Sequence, residues 1–413
     1  MSAAPGRRAL LRLLSAAPLA ATSLGTAPAA RAGAVRTEAG ARGVGTADAP
    51  AAAIAPGIEK PLPSDVFTVR GTNAETRFPM LRHTGPLTPN PLFFVRNHTR
   101  TPVLDENGWR LTVWGSGLRG GPVHFGYGEL RSMPSVTRTV VLECAGNGRS
   151  LFTSQQGQTV SGTSWTMGAI GAASWRGVRL RDVLHRAGIT GSAVDVMPRG
   201  LDDEFISEGV SLGRVRRPLP VAKALDDVIL AYEMNGEPLP YDHGFPLRVI
   251  VPSWIGIASI KWLGDIEVSD TPLTSPWNTR FYRLFGDAYP PGGSAPLTRQ
   301  TIKSALELDW GQSLEAGRRV RLTGRAWSAA APIHRVDIST DGGGRWRPAR
   351  LLDPPRRHGW VRWSADWVPR ETGPATLLTR ATDRRGTTQP TETVHNTQGY
   401  LFDAVVRHPV TVV

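Results

Sequence analysis

One cysteine stands in this chain of 413 residues, at position 144. A single thiol excludes a disulfide framework, a covalently attached c-type haem, an all-cysteine iron–sulfur centre and a multi-cysteine zinc site. Long apolar runs are missing too. The modest stretch 13–24 is broken by Pro18 and by polar residues, and no segment approaches the roughly 20 apolar residues that a bilayer-spanning helix needs. Acid is scarce relative to base: 35 Asp and Glu against 48 Lys and Arg leave a net charge of +13. Yet the basic residues are scattered arginines, with no long basic run and no recognisable nucleic-acid module, so nucleic acid is not an expected partner. A small anionic substrate or an acidic protein fits the charge as well.

Core-forming residues are plentiful. Hydrophobic residues make up 40% of the chain, with 13 Trp, and the length predicts two domains plus a tail. The tail is N-terminal. Arg7-Arg8 precedes the apolar stretch, and Ala27-Pro28-Ala29-Ala30-Arg31-Ala32 resembles a small-residue cleavage site. Residues 1–32 are therefore expected to be a twin-arginine-type signal, directing the protein to the periplasm or the outside of the cell. Residues 33–60, rich in Ala and Gly at first, read as a flexible linker, with the folded part starting near Leu62.

The stretch around Cys144 has a pattern of its own. Residues 137–142 are β-branched and apolar, the signature of a buried strand. Gly146, Asn147 and Gly148 follow, permitting a tight turn and close approach to a ligand. A thiol at a strand end, with Arg149 five positions on, can be a soft metal ligand or an inert buried side chain.

Along the rest of the chain, residues 109–114 alternate as a strand does. Residues 180–187 read as a short helix stopped by Gly188, and residues 228–234 as a buried strand closed by the hairpin turn Asn235-Gly236. Arg96 and His98 share a face if their segment is extended. This mixture predicts an α+β domain over residues 61–288. Past Pro290-Pro291-Gly292-Gly293 the chain turns to short alternating strands at 319–326, 334–339, 360–367 and 375–383. They predict an all-β immunoglobulin-like sandwich over residues 289–413.

Four fragments, in order, resemble one family. They are Phe94-Val95-Arg96-Asn97-His98; Glu143-Cys144-Ala145-Gly146-Asn147-Gly148-Arg149; Ala231-Tyr232-Glu233-Met234-Asn235-Gly236-Glu237-Pro238-Leu239-Pro240; and His243-Gly244-Phe245-Pro246-Leu247-Arg248 with Ser259-Ile260-Lys261-Trp262-Leu263. Together they are similar to the sulfite oxidase family of molybdopterin-dependent oxidoreductases, in the pattern of its exported bacterial sulfite and sulfane dehydrogenases. The resemblance implies a molybdopterin-binding catalytic domain followed by a dimerisation domain, and a molybdenum–molybdopterin cofactor with no haem in this chain. It implies oxygen-atom transfer on sulfite or a related sulfur oxyanion, an external acceptor such as a c-type cytochrome, and a homodimer.

Residue by residue, the resemblance makes Cys144 the molybdenum ligand. Arg96, His98, Asp202, His243, Arg248, Ser259, Ile260 and Lys261 become holders of the pterin or its phosphate, where Arg forks and an ammonium suit an anion. Arg96, Arg149 and Tyr282 face the substrate. Without the resemblance, His243 and Arg248 read as a surface turn and Tyr282 as a packing aromatic. One departure stands out: Gln398 occupies the place where vertebrate sulfite oxidases put a further substrate-binding arginine. The alternatives are a sulfoxide or nitrate reductase of the same family, or a cofactor-free binding protein.

Overall fold

The computed structural model describes residues 56–413. The expected signal and most of the expected linker lie outside the described residues. Packing begins earlier than Leu62: Ile58 is buried, and the amides of Glu59 and Lys60 donate to the Asp242 carboxylate at 3.0 and 2.8 Å. Among the described residues no helix is long and apolar enough to cross a membrane.

Beside the two-stranded pairs Phe67–Arg70 with Asn73–Thr76 and Ile206–Ser207 with Val210–Ser211, two larger sheets form most of the first part. One orders the strands Leu219–Pro220, Asp195–Gly200, Leu263–Ser269, Arg110–Trp114 and Val123–Gly126. The other orders Glu237–Pro238, Ile229–Met234, Ile170–Arg179 and Ser135–Glu143, with Arg248–Ile250 also paired to Ile229–Met234. Short helices, including Leu180–Arg186, fill the corners. The architecture is the expected α+β mixture of short strands, few helices and many loops. The hairpin at Asn235-Gly236 is present: both residues have positive φ, 56° and 87°, and Met234 pairs with Glu237.

The strand Ser135–Glu143 pairs antiparallel along its whole length with Ile170–Arg179. Val140, Val141 and Leu142 are all buried, because both faces of this strand are covered. Where its ladder ends, the chain turns, and Cys144 sits on that turn.

The second part is a sandwich. A four-stranded sheet (Lys303–Leu306, Val320–Trp327, Trp360–Trp367, Arg350–Leu351) faces a five-stranded one (Gln312–Leu314, Arg407–Val412, Gly373–Asp383, Ile333–Ser339, Arg347–Pro348). Leu322, Val336, Ile338, Trp363, Leu377 and Ala381 fill the space between them. The sandwich is joined to the first part through buried contacts. Val141, Leu151, Phe152 and Ile170 pack with Ala305, Trp327, Trp360 and Phe402 in one cluster. Arg325, fully buried, pairs with Glu307 at 2.7 Å and donates to the Leu81 carbonyl at 2.6 Å.

Candidate active site

Cys144 is free and buried. Its amide donates to the Ala169 carbonyl at 2.9 Å, and its carbonyl accepts from Asn147 N at 2.9 Å. Gly148 takes φ +89°, a left-handed turn that favours glycine, and leads into the helix Arg149–Gln156. The loop is thereby wound tightly, and Cys144 lines a cleft.

The same cleft gathers Arg96, His98, Asp202, His243, Arg248, Ser259, Ile260, Lys261 and Tyr282. Of the residues singled out from the sequence, Arg149 and Gln398 are absent from its lining. Arg149 stands one layer back, donating to the Gln398 carbonyl and the Thr163 carbonyl, each at 2.8 Å. Its guanidinium lies 5.1 Å from the centre of the Tyr400 ring. Gln398 binds it through the backbone, while the Gln398 side-chain oxygen is buried without a partner.

His243 and Arg248 are not on a surface turn; their exposures are 2% and 5%. Arg248 donates to the carbonyls of His243 (2.8 Å) and Ser259 (3.0 Å) and lies over the Trp175 ring. With no carboxylate beside it, burial brings its pKa down to about 9. Lys261 donates to Asn97 Oδ1 and to the Asp242 carbonyl, and burial lowers its pKa well below the ordinary lysine value. Burial likewise holds His98 and His243 neutral, and their cationic neighbours reinforce the shift. His98 Nε2 accepts from Trp277 Nε1 at 3.0 Å and faces Arg96 Nη2 at 3.1 Å. A nitrogen that accepts twice carries no proton, so the ring's proton is on Nδ1.

Arg96 and His98 do meet, but not on a strand. Their segment is a loop after the short helical turn Asn90–Leu92, anchored where Val95 bridges Ala74. Tyr282 is buried at the cleft, with φ +56° and its ring stacked on Tyr400 at 5.2 Å. A left-handed tyrosine is a strained backbone of the kind held in place at functional sites. Burial raises its pKa, while the fields of Arg96, Arg149 and Arg217 oppose the shift.

Sequence reasoning missed Asn97, Asp242 and Arg217. Asn97 sits inside a fragment already marked, beside His98, and Asp242 immediately precedes another, beside His243; both anchor Lys261. Arg217 carried no such signal. It is 2% exposed and donates to the Trp277 and Leu297 carbonyls, supporting the backbone on either side of Tyr282.

The cleft is built for an anion rich in hydrogen-bonding groups. Its cations Arg96, Arg248 and Lys261 face two carboxyl groups. Asp242 is already engaged by two amides and the Thr101 hydroxyl. Burial lifts the Asp202 pKa to about 6. Three buried polar atoms lining the cleft, Asp202 Oδ1, His243 Nε2 and Arg248 Nε, have no partner in the protein, and such orphans are costly unless a ligand meets them. A pterin ring offers donors and acceptors, and its phosphate offers charge. Among the described residues no group of three or more His, Cys, Asp or Glu could hold a metal ion. Cys144 would be the soft ligand that the protein offers a transition metal held here by such a cofactor.

The comparisons with known proteins agree. Residues 98–277 match the oxidoreductase molybdopterin binding domain, and residues 302–412 match the Mo-co oxidoreductase dimerisation domain. The chain is 36% identical to mitochondrial sulfite oxidase of Mus musculus over 83% of its own length and 65% of that protein's. It is 32% identical to sulfite oxidase of Arabidopsis thaliana over 76% of this chain and 86% of the plant protein. It thus spans just under two-thirds of the mouse relative and most of the plant one. The sulfane dehydrogenase SoxCD of Paracoccus pantotrophus superposes with a TM-score of 0.68, at 27% identity, over 81% of this chain and 82% of that one. The cleft, its orphaned polar atoms, the lone thiol and these likenesses place the chain in the sulfite oxidase family of molybdopterin-dependent oxidoreductases.

Proposed function

We propose that this protein oxidises sulfite or a related sulfur oxyanion by oxygen-atom transfer and passes the electrons to a separate acceptor such as a c-type cytochrome. The observation that carries the reading is the free Cys144 on a cleft lined by buried cations and by polar atoms that find no partner in the protein. The chemistry a molybdenum–pterin unit supplies when bound is two-electron oxygen-atom transfer.

The residues divide the remaining work. Cys144 is the proposed thiolate ligand. Lys261 and Arg248 are the proposed partners of the phosphate. Asp202, His243 and Ser259 are the proposed hydrogen-bonding partners of the pterin, with the neutral His243 free to bond through Nε2. Ile260 and His98 pack beside them. Arg96 attracts the substrate anion, Tyr282 presents its hydroxyl beside it, and Arg149 adds positive field from one layer back. The buried setting of these groups excludes bulk water and strengthens every charge interaction.

Export by the twin-arginine route to the periplasm or beyond, and homodimer formation through the sandwich, belong to the same proposal. The dimerisation-domain match supports the latter.

Elemental analysis of the protein from cofactor-competent cells is expected to find molybdenum. Its absence sinks the reading. Steady-state turnover with sulfite, thiosulfate, a sulfoxide and nitrate, using cytochrome c or a dye as redox partner, decides the substrate. Turnover confined to the sulfoxide or nitrate makes the protein a reductase instead. Cys144→Ser is expected to abolish turnover while leaving the melting temperature near that of the parent; retained turnover excludes the ligand role. Gln398→Arg is expected to lower KM for sulfite by about tenfold if the substrate is a divalent anion, since an added cation near an anion contributes on the order of 1–2 kcal/mol.

A further inference from the structure

Behind the Cys144 loop lies a polar cluster that the catalytic reading does not use. Glu143, the residue before the cysteine, is 2% exposed. Its Oε1 accepts from Lys303 Nζ at 2.6 Å and from Asn147 Nδ2 at 3.0 Å, and its Oε2 accepts from Trp327 Nε1 at 3.1 Å. Lys303 Nζ also donates to the Asn147 carbonyl at 3.1 Å. Asn147, with no exposed surface, closes the loop by accepting from the Ala169 amide at 3.1 Å. Lys303 and Trp327 do not belong to the domain that carries the cysteine; they come from the sandwich strands Lys303–Leu306 and Val320–Trp327. A second arm of the sandwich region arrives from the other side, where the Leu401 amide donates to the Ala145 carbonyl at 2.8 Å.

A buried ion pair is weak evidence of stability, because apolar residues of similar volume often stabilise as much or more. What charges add is direction. The Lys303 ammonium points its donors at two groups on either side of the cysteine, the Glu143 carboxylate and the Asn147 carbonyl. The loop residues between them have little room to move. Glycine at 146 packs against the Arg149 guanidinium, and glycine at 148 against the Phe402 ring.

We infer that Lys303, with Trp327, is a positioning residue supplied by the sandwich domain. Through Glu143 and Asn147 it sets the orientation in which Cys144 presents its sulfur. The sandwich is then part of the active-site framework as well as a dimerisation domain. This rests on the proposed ligand role of Cys144, and its test separates the two.

The variant to make is the double substitution Glu143→Gln with Lys303→Met in the full-length protein. Removing both charges avoids the unpaired buried ion that either single change would leave. Melting temperature, molybdenum content, the Mo(V) electron paramagnetic resonance signal, kcat and KM are measured beside the parent. The expected result is a folded protein with an altered resonance signal and KM unchanged. Its kcat should fall on the order of a hundredfold, the scale set by small misplacements of reacting groups. A folded variant that no longer takes up the metal also supports the inference. An unchanged resonance signal and kcat overturn it, and so does a variant that fails to fold, since the cluster then serves the fold alone. If the parent itself holds no molybdenum, the functional reading fails, but the inference is still decided by alkylation of Cys144 with iodoacetamide in the metal-free full chain. Faster alkylation in the variant supports a loop held by the sandwich, and equal rates overturn it.

Discussion

Asp202 is 2% exposed, one of its carboxylate oxygens lacks a partner, and burial lifts its pKa from 3.8 to about 6. A carboxyl that holds its proton more tightly when folded loses stability as pH rises from the unfolded value to the folded one, and the loss levels off above the folded pKa. Asp202→Asn keeps the neutral shape at all pH. Its melting temperature in cofactor-free protein is therefore expected to match the parent near pH 4, to exceed it increasingly up to about pH 6, and to keep a constant advantage above that. Thermal melts across this range decide it; an advantage independent of pH refutes the assignment. The residues of the cleft were legible as types, because an Arg, His or Lys in a marked fragment declares its chemistry. Their burial was not. His243 and Arg248 sit in a turn-rich segment that reads as surface, and only the packing of Phe93 and Trp175 against them takes them out of water. Arg217 had no readable pattern, since its role is to bond carbonyls distant in sequence.

At the level of elements, the strands declared themselves through alternation and β-branching, and Trp360–Trp367 has the bounds expected for it. The loop that carries Ser259, Ile260 and Lys261 did not, because its conformation depends on contacts elsewhere. Trp262 takes φ +50° while its indole donates to the Tyr241 carbonyl at 2.7 Å. Close strand packing makes a sharper demand. Gly177 lies in Ile170–Arg179 against Ile229–Met234, where an added Cβ would stand 1.9 Å from the Leu230 carbonyl oxygen. Gly177→Ala is expected to destabilise the protein by at least about 1–3 kcal/mol, the usual cost of overpacking. Urea unfolding measures it, and a change within error would mean that the two strands can separate without cost. The shift in register between Ala231 and Glu233 beside this glycine is a local bend that no residue preference announces.

For the whole molecule, the two parts share one buried boundary. Deleting residues 302–413 would expose Val141, Leu151, Phe152 and Ile170 and strip Glu143 of its bonds to Lys303 and Trp327. The remaining fragment is expected to aggregate or to bind a hydrophobic dye such as ANS, as exposed apolar surface does. A soluble, monodisperse fragment with a cooperative melt would contradict the shared core. The sequence by itself determined the class of the two folded parts, the strand leading to the only thiol, and the inventory of cations that meets it, since period, β-branching and side-chain chemistry are local properties. Only the tertiary structure decided that those cations are buried around one cleft, that Arg149 stands behind it, and that Lys303 reaches Glu143 across 160 positions of chain. Burial and long-range pairing depend on how the layers stack, and no local pattern in the chain encodes that.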